Sequence, residues 1–240
     1  MKNSLLPRIK QLSVLRRQNG QSMVEFLVIL PVMLLLILGT VQVALIYHAK
    51  ITLNYAAFEA VRAGTLNCDK KYLKNGNGCR SEVSQFDAMK EGLARGLAPL
   101  YSYYEPRTEE RKGMHDPALN QVEAYQQGRD RVFDELKGEF IRVERLNPTP
   151  QAFSEFAVDG VIPNDNLMYR SGASGDSQMS IQDANLLHLR ITYWYPMYVP
   201  FINKLISKVA NCKWDDDEVY PRIPITATAV MRMQVPVEKW

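Results

Sequence analysis

Glu25 is a lone carboxylate at the threshold of a long apolar run, five positions after Gly20. An ionised group at the edge of hydrocarbon is costly unless it finds a partner, so its presence there points to a role. The chemistry a lone acid offers at that depth is ion pairing with a cation. Gly20 has no side chain and weakens helix, which lets the chain unwind at a membrane surface into an extended form that a protease can hold. Were the chain cut after Gly20, the nitrogen of Gln21 would become a cationic chain end with which Glu25 of a neighbouring subunit could pair inside lipid. Such a pair would set the register in which one subunit docks on the next. The plainer readings are an ordinary helix-start glycine and a carboxylate that snorkels to the interface.

The element that must hold these groups is a single apolar helix. Phe26 to Tyr47 is a run of 22 residues without a charge, enough helix to cross roughly 30 Å of hydrocarbon. The segment before it carries Lys2, Arg8, Lys10, Arg16 and Arg17 and no acid. By the positive-inside rule this predicts a single-pass membrane protein with its N-terminus in the cytoplasm and the bulk of the chain extracytoplasmic. A secretory signal peptide would have an apolar core of about 7 to 15 residues and a small-x-small cleavage site; this run is longer and leads through Tyr47, His48 and Lys50 into further helix. Pro31 removes one backbone hydrogen bond within the run and is expected to kink or soften the helix.

The same leader accounts for the net charge of +3. It holds five of the 29 basic residues, which leaves 24 bases against 26 acids in the rest of the chain. A nucleic-acid partner therefore loses its support, because the excess charge is a topology signal and not a basic face.

Gly20, Glu25 and Phe26, placed after a short basic leader and before an apolar helix, resemble the type IV prepilin processing motif. More narrowly, Arg16 to Thr65 is similar to the TadE-like pseudopilins of tight-adherence (Flp) pilus systems. The matching positions are Gly20, Val24, Glu25, Phe26, Pro31 and the juxtamembrane Ala56, Ala57, Glu59, Ala60, Arg62 and Ala63. The resemblance implies a pilin-like α+β fold, an inner (cytoplasmic) membrane location with the C-terminal domain in the periplasm, cleavage after Gly20 by a prepilin peptidase, and assembly with other pilins or pseudopilins and the inner-membrane platform. It also implies a minor or assembly role, because a domain this bulky would crowd a filament of very small subunits. A type II secretion minor pseudopilin shares the processing logic. A signal-anchored periplasmic binding or sensor module is the alternative from another class.

Beyond the membrane the helix is expected to continue to about Leu66, so that Gln21 to Leu66 extends about 65 to 70 Å. Ala49, Leu53, Ala56, Ala60 and Ala63 recur at spacings of 4, 3, 4 and 3, a narrow seam of small residues that allows close helix approach. The seam packs either on the protein's own soluble domain or on another subunit. A turn-rich stretch, 67–81, follows, with Asn75, Gly76, Asn77 and Gly78 between Cys68 and Cys79. In an oxidising compartment these two are expected to form a disulfide closing a short loop; the rival pairing has Cys212 bridging to one of them. His48, His115 and His188 are scattered and show no zinc-ligand spacing.

Helices are predicted over 83–98, ended by Pro99, and over 118–137, with Val122, Tyr125, Arg129, Val132, Phe133 and Leu136 facing inward. Alternation predicts strands over 187–195 and 223–233 and a shorter one over 140–146. An amphipathic helix is expected over 201–210, and the glycines and serines of 170–180 predict a mobile loop. The fold class is thus α+β: a long N-terminal transmembrane helix, with its span at 26–47, continuing into a periplasmic domain in which a small antiparallel sheet packs on helices. The domains are a cleaved leader 1–20, the helix 21–66 and the domain 67–240. Tyr193, Trp194, Tyr195 and Tyr198 are read as strand-core aromatics in preference to a partner surface. Asp215, Asp216, Asp217 and Glu218 read as a solvated acidic turn more than a calcium site, for they lack spaced ligands and a loop glycine. No nucleophile motif or phosphate-cradling loop occurs, so neither an enzyme nor a cofactor is expected.

Overall fold

One helix, α1 (Gln21–Leu66), runs unbroken for 46 residues with Pro31 inside it. The computed structural model describes residues 21–67, 84–101, 117–157, 160–164, 179–208, 210, 212–214 and 220–238. The leader 1–20, Cys68 and Cys79, the core of the 170–180 loop and the acidic cluster 215–218 lie outside them. From Met23 to Ile37 every side chain is exposed. Burial begins only beyond that apolar stretch, where the rest of the protein gathers against the upper half of α1.

The elements that gather there are α2 (Gln85–Tyr101), α3 (Pro117–Lys137), β1 (Ile141–Asn147), α4 (Pro150–Phe156), β2 (Val161–Ile162), α5 (Ile181–Ala184), β3 (Leu186–Pro196), α6 (Ile202–Ser207), β4 (Lys213–Trp214), β5 (Pro221–Arg232) and β6 (Val237–Glu238). Four strands form one antiparallel sheet in the order β1-β3-β5-β4, and β2 pairs with β6 in a second, two-stranded one. The architecture is α+β.

Period-two patterning decides which sheet face meets the helices. Leu187, Leu189, Ile191, Tyr193 and Tyr195 of β3 are buried, and their partners across the ladder include Ala227 and Ile225 of β5 and Ile141 of β1. These residues form one core with Leu53, Ala56, Ala57, Ala60 and Val61 of α1 and with Met89, Leu93 and Leu97 of α2. The outward face carries charge instead: the Glu144 carboxylate lies 3.1 Å from Arg142 and 4.0 Å from Arg190.

Polar contacts tie the sheet to α1 along its length. Lys50 Nζ donates to the Thr226 carbonyl of β5. Near the top, the Gln234 amide donates to the Thr65 carbonyl at 3.1 Å. Just beyond it, Gln85 Nε2 at the start of α2 donates to the Pro236 carbonyl at 2.7 Å.

Three expectations need correction. Pro99 does not end α2; it sits in the last turn, and the helix runs two residues further. One missing donor is tolerated there because only that turn depends on it. Val122 and Tyr125 are exposed and not inward: of the residues expected to face inward on α3, Val132 enters the core and Phe133 and Leu136 pack against it, while Gln127 and Gly128 are buried as well. The helix predicted over 201–210 is shorter, Ile202–Ser207.

Candidate functional site

On α1, Glu25 and Pro31 are both exposed, with Pro31 inside continuous helix. Gly20 lies outside the described residues, and Gln21 is described by its backbone alone, as the first residue of α1. Ala49, Leu53, Ala56, Ala60 and Ala63 are all buried. Their neighbour is α2, which descends antiparallel to α1. A methyl group placed on Gly92 would stand 2.6 Å from the Glu59 carbonyl oxygen and 2.9 Å from Ala63 Cβ; one on Gly96 would stand 2.4 Å from Ala56 Cα. The seam is therefore occupied within the protein by a Gly-x-x-x-Gly face, the pairing of small residues that lets two helix backbones nearly touch.

The opposite face of α1 stays exposed above the long run and is largely apolar, with Arg62 on it between Phe58 and Leu66. Ile51, Tyr55, Phe58 and Leu66 fall at helical spacing and continue the exposed side chains of the run itself. The described residues leave this stripe uncovered, a feature that commonly marks an interaction surface.

α1 is the one helix among the described residues long and apolar enough to cross a membrane. Residues 20–62 match the family described as TadE-like protein. Over this segment the chain is similar to that family. No curated protein and no solved structure matches the chain. The matched segment takes in Glu25, Pro31, the run and all of the seam up to Arg62, so the TadE-like stretch coincides with α1 and stops short of its last turn.

A column of tyrosines is drawn from α2 (Tyr101), β3 (Tyr193 and Tyr195) and the chain beside the strands (Tyr198 and Tyr220). Tyr101 and Tyr193 share a hydroxyl–hydroxyl hydrogen bond of 2.5 Å. Ring contacts then run from Tyr193 to Tyr195 at 6.0 Å, from Tyr195 to Tyr198 at 6.0 Å and from Tyr198 to Tyr220 at 5.5 Å. Tyr193 and Tyr195 are core residues, whereas Tyr198 is exposed. Burial raises the ionisation points of Tyr101 and Tyr193 well above the usual phenol range and pushes that of Tyr195 up to about 12. A neutral phenol is thus favoured in the folded state. The corresponding stability is fully present below about pH 10, where the unfolded chain also keeps its phenols protonated. It is lost as pH rises through the folded values. Tyrosinate absorbance in an alkaline titration should therefore show these three phenols ionising late and together with unfolding, not at the ordinary phenol value.

Sequence reasoning did not find Gly92 and Gly96, although their spacing of four on a predicted helix was a usable signal. It also missed the buried pair Arg222–Glu135, at 2.9 Å, for which no local pattern exists. The described residues contain no group of three His, Cys, Asp or Glu side chains placed to hold a metal ion. Cys212, half-buried, has a thiol whose ionisation is raised by burial.

Proposed function

We propose that the protein is a pseudopilin or minor pilin that takes part in assembling a Tad/Flp-type pilus for surface adherence. In this reading it inserts as a prepilin with its N-terminus in the cytoplasm, a prepilin peptidase cuts after Gly20, and α1 docks beside the helices of other pilins at the inner-membrane assembly platform. The observation that carries the reading is the TadE-like match over 20–62, which falls on a helix whose exposed apolar face continues past the run as Ile51, Tyr55, Phe58 and Leu66. The seam is engaged by α2, so the face available to a neighbouring subunit is this stripe. Glu25 keeps its proposed role at the base of the helix, where the new amine of Gln21 on an adjacent subunit can neutralise it. The molecule acts here as a structural subunit and not as an enzyme.

Mass measurement of the mature chain tests this. Cells with a working prepilin peptidase should yield a chain beginning at Gln21; an intact Met1 would overturn the pilin reading and favour a signal-anchored module. In the same cells Glu25→Ala should leave insertion and cleavage intact while reducing piliation, and unchanged piliation would remove the register role.

A further inference from the structure

The apolar run Phe26 to Tyr47 contains two polar side chains, Thr40 and Gln42. Thr40 satisfies itself, its hydroxyl donating to the Ile37 carbonyl at 2.8 Å. Gln42 does something else. It is 0% exposed, and its Oε1 accepts a hydrogen bond of 3.1 Å from the backbone amide of Val199. A segment of the globular domain is therefore held against α1 inside the apolar run, five residues before its end.

Counting from Phe26, Gln42 lies about 24 Å up the helix, within the roughly 30 Å that hydrocarbon occupies. At such a depth a backbone amide must be satisfied by protein, and Gln42 provides that partner for Val199. The residues around Val199 have the composition of an interfacial segment. Tyr198, Phe201 and Leu205 are 53%, 71% and 60% exposed, and Lys204 and Lys208 are exposed beside them. Phe201/Leu205 and Lys204/Lys208 are each four residues apart, so two apolar groups and two cations share one face. Phe201 holds this position with φ 66, a left-handed conformation rare for a bulky residue.

We propose that residues 198–208 are a second membrane contact. Tyr198, Phe201 and Leu205 enter the headgroup–acyl boundary beside α1, and Lys204 and Lys208 reach the lipid phosphates. Amphipathic segments of this kind lie about 5 to 10 Å into the boundary, which agrees with the level of Gln42. The contact would fix how deep α1 sits and how the globular domain is oriented to the bilayer. It rests on the proposal that α1 spans the membrane.

The experiment places the photoreactive amino acid p-benzoylphenylalanine at Phe201 or Leu205, one at a time, in the full chain reconstituted in vesicles of phosphatidylethanolamine and phosphatidylglycerol. Leu36, exposed in the middle of the run, serves as the lipid reference, and Val230, exposed on β5 near the far end of the domain, as the aqueous one. The expected result is lipid adducts at Phe201 and Leu205 in yields comparable with Leu36 and none at Val230. Lipid adducts at Leu36 alone would overturn the contact while leaving the span intact. Protein adducts at Phe201 and Leu205 would overturn it in favour of a neighbouring subunit. Failure at Leu36 itself would remove the span and the contact together.

Discussion

Arg222→Ala destabilises the globular part of the protein by about 3 to 5 kcal/mol, the range for breaking a buried ion pair by deleting one partner. The Arg222 guanidinium is almost fully enclosed. Its Nη1 lies 2.9 Å from Glu135 Oε2 and donates to the Trp194 carbonyl at 3.3 Å, and its Cζ sits over the Phe140 ring, 3.9 Å from the centroid. Truncation takes this partner from a carboxylate that is itself only 17% exposed and opens a void over Phe140. Arg222→Lys keeps the charge but loses the planar fork and the stacking, so it falls between wild type and Ala. Arg222→Met combined with Glu135→Leu removes both charges and should recover most of the loss. Urea unfolding of the detergent-solubilised chain, followed by tryptophan fluorescence, measures all three. A loss for Arg222→Ala within about 0.5 kcal/mol would mean that the pair behaves like a surface contact.

The second large effect is at the junction of α1 and α2. Gly96→Val costs about 2 to 3 kcal/mol, because even its first added carbon stands 2.4 Å from Ala56 Cα, 2.7 Å from Ala56 Cβ and 3.2 Å from Ala56 N. The obstacle is helix backbone, which cannot rotate away as a side chain tip can. Gly96→Ala is the sharper diagnostic. In an uncrowded helix it would stabilise by about 1 kcal/mol through propensity alone; against Ala56 it should destabilise. Gly92, facing the Glu59 carbonyl, should respond in the same sense. The first part of the run lies below this junction, so membrane insertion of these variants is expected to be normal while the domain loosens from its helix. A stabilised Gly96→Ala protein would show that the helices stand further apart.

Both predictions concern residues that sequence patterning passed over, and the reason is the same. Period and composition report what one segment does with its own two faces. They were sufficient for the extent of α1, for the long strands β3 and β5 with Tyr193 and Tyr195 turned inward, and for the short strand before them. They were insufficient wherever the neighbour was decided far along the chain. Val122 and Tyr125 look like part of one inner face with Val132, Phe133 and Leu136, yet only the latter three meet the core and the first two stay exposed. Pro99 looks like a stop, yet the last turn of α2 absorbs it. Arg222 and Glu135 are separated by most of the sheet, and no spacing links them.

The sequence by itself determined that the protein is built on one long apolar helix with an acid at its base and an α+β body beyond, because uncharged length and side-chain period are properties of single segments. Only the tertiary structure decided that the small-residue seam is filled from within by Gly92 and Gly96, that Ile51, Tyr55, Phe58 and Leu66 remain as the open face, and that Gln42 draws the loop at Val199 down against the run. Those choices depend on which backbones approach within a few ångströms of one another, and that distance is set by the whole packed arrangement.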